Sequence, residues 1–426
     1  MSRASHVAAF AAGCALAATV AASAAPRRPD ATRYRSLDTF AQALTYVASQ
    51  YVEPVDERRL LYAATRGMLE SLDPYSAFFS PADYKRLRED TEGEFPGVGL
   101  VLGPGGPDDA LPTALAWPIV DEVLPGSPAA AAGLAADDRL LSIDGASTVA
   151  PATADKDERY WDARLRGDAG TAVVVEYLRP GGKPATVTMT RRQVKVPSVE
   201  RDTLGPGVGY LAIRRFQEAT AGDVTAALAE LHRAAADRVI VIDLRTDSGG
   251  LVDQAIAVAD LFLDAGTIVT IRGRGPDVET HAARKGGPAT GARLLLLVNA
   301  QTASAAEILA GALQDHHRAT VLGMKTYGKG AIQTYFDLAD GSGLKLTTHR
   351  YLTPAGHEVE GRGITPDLEV PEFEAEVVVA GAAGAATTDA GGGPDPAGRD
   401  ILGARGDDDH QLRIAYQTAQ RWLGSK

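Results

Sequence analysis

The stretch Leu294-Leu295-Leu296-Leu297-Val298-Asn299-Ala300-Gln301-Thr302-Ala303-Ser304-Ala305-Ala306-Glu307 passes from an unbroken apolar run into a helix start. An apolar run without polar alternation predicts a strand buried on both faces, as in parallel sheets. Ser304-x-x-Glu307 is a capping-box pattern and predicts a helix from about Ala303 to Asp315. Ala319 to Leu322 then reads as another strand. The same grammar occurs upstream: Val239-Ile240-Val241-Ile242-Asp243-Leu244 is a buried-type strand, and Gly249-Gly250 opens a helix through Leu261. Alternation of this kind over residues 199–372 predicts an α/β core with mostly parallel strands.

Outside that core the character changes. Residues 31–92 form a helical region, with Leu37, Phe40, Leu44 and Val47, then Leu60, Ala64, Met68 and Leu69, at helical spacing. Residues 93–190 read as strands and glycine turns. Within them Ser127-Pro128 through Gly133 is a short helix with serine N-cap, proline at its first position and glycine after its end. Residues 373–399 are dominated by Ala, Gly, Thr and Pro and predict a flexible linker. In residues 400–426, Leu412, Ala415, Tyr416, Ala419, Trp422 and Leu423 make an amphipathic helix whose apolar face is expected to dock on the body.

The 426 residues are 45% hydrophobic and 23% charged, ordinary for a globular protein of two or three domains. A formal net charge of −12 argues against nucleic acid, which needs a basic face. Cys14 is the only cysteine, so no intrachain disulfide or cysteine zinc site is available. Residues 1–24 have the pattern of a secretory signal: Arg3, an apolar stretch from Val7 to Ala22, and Ala22-Ser23-Ala24 as a cleavage site. An uncleaved anchor ranks second and lipidation at Cys14 third. All three place the body outside the cytoplasm, in the periplasm or cell envelope, with membrane contact only if the segment is retained.

Three residues carry the chemistry. Lys329 follows Ser304 by 25 residues, and Gln333 lies four further on, in Thr326-Tyr327-Gly328-Lys329-Gly330-Ala331-Ile332-Gln333. Serine, lysine and a polar residue to orient it can form a hydrolase site without histidine. Taken singly, the three are a helix cap, a turn lysine and a strand glutamine. At a strand-to-helix turn, however, the positive helix end favours an oxyanion, and the Ala305 N–H is the natural first donor. Gly249 or Gly250 supplies the second. A lysine acting as base near neutral pH needs its pKa lowered by about three units, on the order of 4 kcal/mol, which burial can provide. Gln333 is roughly 13 Å along an extended chain from Lys329, so a bend at Gly328–Gly330 is expected.

Other constellations are weaker. Gly323 to Lys329 fits part of a phosphate-binding loop but lacks the following Ser or Thr and a helix. Asp247-Ser248-Gly249 has no second copy to complete an aspartic dyad. His316 and His317 end the Ser304 helix, roughly 18 Å from its start, while His232, His281, His349 and His357 stay open as triad partners. No metal-ligand spacing occurs.

Residues 93–190 resemble a PDZ domain of the bacterial protease type, through Gly97-Val98-Gly99-Leu100, Pro125-Gly126-Ser127-Pro128-Ala129, Ala132-Gly133-Leu134 and Asp138 to Gly145. Gly97, Val98, Gly99, Leu100 and Val101 form the candidate carboxylate loop, whose N–H groups can receive a peptide's C-terminus. With these, Leu72-Asp73-Pro74-Tyr75-Ser76, Leu165-Arg166-Gly167, Gly209-Tyr210-Leu211, Asp243-Leu244-Arg245-x-x-x-Gly249-Gly250 and Gly363-Ile364-Thr365-Pro366-Asp367 stand in the order found in the carboxy-terminal processing (tail-specific) peptidases. The chain resembles that family over nearly all of residues 36–426. It departs at Asp247 and Ser248, where the family usually has asparagine and frequently proline.

The resemblance implies a ClpP/crotonase-like α/β protease core, an inserted PDZ domain of mixed α+β structure and an N-terminal helical region. It also implies a serine endopeptidase with a Ser304–Lys329 dyad, Gln333 orienting the lysine, and no cofactor. The implied partners are protein or peptide substrates with accessible C-terminal tails, with room for an adaptor protein. The rival reading is a non-catalytic PDZ peptide-binding protein.

Overall fold

A computed structural model describes residues 31–103, 118–148, 158–286, 291–373 and 409–424. The leader expected at 1–24 and nearly all of the linker expected at 373–399 lie outside the described residues. The chain divides into two compact units between Phe78 and Phe79.

In the first unit, helices Ala31–Gln50 and Glu57–Glu70 follow one another. Asp56 starts the second, its carboxylate accepting the N–H groups of Arg58 (2.9 Å) and Arg59 (3.2 Å). Asp73 ends the helical pattern by accepting the N–H groups of Tyr75 and Ser76, an Asx-type turn. No helix among the described residues is long and apolar enough to cross a membrane.

The second unit opens with helix Pro81–Glu92, capped by Ser80 and closed by Gly93 at φ +76°. An antiparallel sheet follows, in the order Leu100–Gly103, Ile119–Val123, Arg139–Ile143, Ala172–Leu178, Ala185–Thr190. Its apolar face buries Val120, Leu140, Ile143, Val173 and Val175 with Trp161 and Leu165 of helix Glu158–Leu165. Leu100–Gly103 is an edge strand among the described residues and packs beside that helix.

The core is a six-stranded sheet in the order Val199–Gly205, Val208–Ile213, Val239–Asp243, Arg293–Val298, Ala319–Gly323, Leu368–Glu369. All its pairings are parallel except the first. The apolar runs are buried on both faces, as their lack of alternation requires. Leu294, Leu296 and Val298 point to one side with Ile240 and Ile242, under helices Thr220–Arg233, Val252–Asp260 and Ala305–Asp315. Leu295 and Leu297 point to the other with Val239 and Val241, under Leu412, Ala415 and Ala419 of helix His410–Gly424. A second, antiparallel sheet contains Ala331–Asp337, Gly343–Leu352, Thr267–Arg272 and Val278–Ala282.

Candidate active site

Ser304 sits where the parallel strand Arg293–Val298 gives way to helix Ala305–Asp315, with φ 56° and ψ −117°. Non-glycine residues rarely adopt such angles, and a conventional capping serine is extended instead. Surrounding bonds hold the turn. Thr302 Oγ1 donates to the Leu244 carbonyl (2.7 Å), and the Ala303 N–H donates to the Asp247 carbonyl (2.9 Å). The carboxylate half of the capping box is present, Glu307 accepting the Ser304 N–H at 2.8 Å. The Glu307 N–H returns to the Ser304 carbonyl at 2.9 Å.

Glu307 does more than cap. Fully buried, it accepts four donors: the N–H groups of Ser304, Gly328 and Lys329 and the Thr326 hydroxyl. Burial pushes its pKa up, while the Thr326 hydroxyl and the three N–H groups pull it down. The Tyr351 hydroxyl reaches two carbonyls, those of Ser304 and Lys329, each at 3.0 Å. A phenol has one proton, so the two carbonyls share it. One carboxylate and one phenol thus tie the backbone of Ser304 to that of Lys329.

Lys329 is half-buried, and its pKa is lowered to about 8, first by burial and then by the nearby Lys345, against the pull of Glu360 and Glu307. The flanking glycines are sterically required. A Cβ on Gly330 would lie 2.5 Å from the Glu360 N, and one on Gly328, at φ +89°, 2.8 Å from the Gly363 N. The Gly330 N–H donates to Glu360 Oε2 (2.8 Å), and the Gly361 N–H to the Gly328 carbonyl (2.8 Å). The segment therefore turns tightly before strand Ala331–Asp337, whose register shifts at Ile332/Gln333. Gln333 donates to Thr347 Oγ1 across the hairpin at 3.4 Å.

The glycine loop lies against the serine. A Cβ on Gly249, at φ +96°, would meet Ser304 Cβ at 2.7 Å and the Ala305 N at 2.9 Å. Any side chain there would fill the space in front of the Ala305 N–H. That N–H stands at the first helical position and makes no hydrogen bond among the described residues. The Gly249 N–H is already donated to Asp247 Oδ1 at 2.8 Å. The Gly250 N–H makes no hydrogen bond among the described residues.

In the loop Gly97–Val101, Val98 is buried and Gly99 has φ +78°, with Ser127 packed where its Cβ would be. The Val98 and Gly99 carbonyls accept the N–H groups of Ala129 and Leu124, both at 2.9 Å, so the loop is anchored through its carbonyls.

The phosphate-binding reading loses its geometry. Lys329 leads into a strand rather than a helix, which rules against a phosphate-binding loop. His232, His281, His316 and His349 bond to Asp237, Glu279, the Thr267 carbonyl and Asp277 respectively.

Sequence reasoning missed Tyr351, Glu360 and Lys345, which reach the site from segments with no local motif. It read Glu307 only as a cap; its position opposite the Thr326–Lys329 loop was the missing information. The sequence marks Asp247 only as a departure from the family pattern and as part of a lone Asp-Ser-Gly motif.

Comparison with known proteins gives three matches along the chain: peptidase family S41 over residues 207–370, a PDZ domain over 119–186, and the N-terminal domain of the activating protease CtpB over 11–81. A carboxy-terminal-processing protease of Bartonella bacilliformis is 37% identical over 344 residues, 80% of this chain and 76% of the relative. A carboxyl-terminal-processing protease of Picosynechococcus sp. is 38% identical over 359 residues, 79% and 83% of the two chains. A solved structure described as the photosystem II D1 C-terminal processing protease shares 32% identity, covering 78% of this chain and 86% of its own, with a TM-score of 0.46.

Proposed function

This chain belongs to peptidase family S41, with the carboxyl-terminal-processing proteases among its relatives, and from that membership we propose that Ser304 and Lys329 are its catalytic dyad. It is a serine endopeptidase acting on proteins or peptides. Neutral Lys329 takes the Ser304 Oγ proton as the oxygen bonds to the substrate carbonyl carbon. The resulting oxyanion receives the Ala305 and Gly250 N–H groups. Lys329 then gives the proton to the leaving amine as the C–N bond breaks, leaving an acyl-serine. Water, deprotonated by the same lysine, bonds to the acyl carbon; the C–Oγ bond breaks, Lys329 returns the proton to Ser304 Oγ, and the new C-terminus is freed. Gln333 orients the lysine.

The observation that carries this reading is the double tie of Glu307 and Tyr351 between the two residues' backbones. The lysine environment adds to it. With a pKa of about 8, about one Lys329 in ten is neutral at pH 7, against roughly one in two to three thousand for free lysine. The substrate tail would add as a strand beside Leu100–Gly103, its carboxylate on the Val98 and Gly99 N–H groups. The secretory pattern of residues 1–24 supports export to the cell envelope. An adaptor protein could present substrates.

The test compares wild type, Ser304→Ala and Lys329→Ala on one unfolded protein with a free or amidated C-terminus. Both variants should lose kcat by roughly a thousandfold or more. Amidation should raise KM and leave kcat nearly unchanged. Wild-type turnover by Ser304→Ala would sink the dyad, and indifference to amidation would sink tail capture.

A further inference from the structure

Asp247 is fully buried beside the proposed oxyanion space and has no role in the steps above. Its Oδ1 accepts the Gly249 N–H at 2.8 Å, and its carbonyl accepts the Ala303 N–H at 2.9 Å. It therefore ties the glycine loop to the residue before the nucleophile. Its Oδ2 is buried without a hydrogen-bond partner among the described residues. A buried carboxylate with one oxygen unpaired is expensive, whereas the neutral acid avoids the charge and keeps Oδ1 as an acceptor for Gly249.

We propose that Asp247 is the positioning residue of the oxyanion loop, working as a neutral acid, and that its ionisation shuts the site down from the alkaline side. The inference rests on the dyad reading for its kinetic part only. Ionisation puts a negative charge behind Gly249, which packs directly against the Ala305 N–H. A second negative charge forms there in the transition state, so the two repel in a site with little water. The ionised carboxylate also pulls harder on the Gly249 N–H and tilts the loop.

The groups facing Asp247 set where this occurs. Burial pushes its pKa up to about 8, opposed by the Gly249 N–H, then Arg215 and Arg214. Arg214 is held by Glu200 through two bonds of 3.0 Å, whereas Arg215 is exposed and also faces Tyr335 and Lys345. Two opposed titrations therefore meet near pH 8. Lys329 must lose its proton as pH rises through about 8, and Asp247 must keep its proton over the same range. Wild-type activity should rise with the first titration and fall with the second.

The kinetic test measures kcat/KM against pH for wild type, Asp247→Asn and Arg215→Gln. Asparagine keeps the acceptor for Gly249 and cannot ionise, so Asp247→Asn should retain the rising limb and lose the falling one. Each pH unit beyond that limb should then separate it from wild type by about another tenfold. Arg215→Gln should move the falling limb to higher pH. A falling limb retained in Asp247→Asn, or absent from wild type, overturns the proposal.

A second measurement needs no activity and so separates this idea from the dyad. An acid with a raised folded pKa loses stability as pH rises from its unfolded value, near 4, to its folded one. The Tm of Asp247→Asn minus that of wild type should therefore grow between those pH values and level off near 8. A difference independent of pH also overturns the proposal. Wild-type turnover by Ser304→Ala alongside a growing Tm difference would instead condemn the dyad and leave Asp247 titrating.

Discussion

Glu307 shows how one side chain can have two roles that look alike locally. As a cap it needs only the Ser304 N–H; in the fold it also holds Thr326, Gly328 and Lys329. Glu307→Gln keeps the volume but presents an amide NH2 to N–H groups that need an acceptor. At least one buried donor loses its partner, costing about 1–3 kcal/mol, and the serine and lysine backbones lose one of their two ties. Thermal unfolding should show the lower stability, and kinetics should show kcat falling by more than tenfold with KM little changed. Equal kcat would mean that Tyr351 alone holds the geometry. The capping box in the sequence foretold the first bond. The other three were not legible, because their donors lie 19 to 22 residues away on a loop whose return path is set by the fold.

At the scale of elements, three turns build the proposed site: the strand-to-helix turn at Ser304, the glycine loop at 247–250 and the glycine bracket around Lys329. Each packs backbone on backbone, which explains the glycines. Gly249→Ala would put a methyl 2.9 Å from the Ala305 N and 2.7 Å from Ser304 Cβ, in a left-handed conformation that alanine resists. The loop must move away from the proposed oxyanion space. Removing one such donor costs roughly a hundredfold to a thousandfold in kcat, the loss expected here, with tail binding by the PDZ module intact. Unchanged kcat in Gly249→Ala would remove this loop from the oxyanion site. The strand and helix types of these elements were readable from apolar periodicity and turn residues. The pairing of strand Ala331–Asp337 with Gly343–Leu352, rather than with the parallel sheet, was not, because partner choice depends on neighbours distant in sequence.

At the scale of the molecule, the parallel sheet needs a cover on both faces. Helix His410–Gly424 supplies one of them through Leu412, Ala415 and Ala419, all fully buried. It is also tied by charge, Arg245 bridging Asp243 and Asp409 with bonds of 2.7 to 2.9 Å. Leu412→Ala should cost about 2–5 kcal/mol, read as a drop in the denaturation midpoint. The wild-type midpoint would mean that the helix is not part of the folding unit. By itself the sequence determined the alternation of strand and helix, the two-sided burial of Leu294 to Val298, and the family, because periodicity and ordered motifs are local or linear properties. It also offered the proposed dyad and Gln333 as a spacing. Only the tertiary structure decided that Glu307 and Tyr351 join Ser304 to Lys329, and that the lysine pKa falls to about 8. It alone left Asp247 Oδ2 buried with no hydrogen-bond partner among the described residues. Burial and long-range contact are sums over atoms that the linear chain holds tens of residues apart, so no local pattern encodes them.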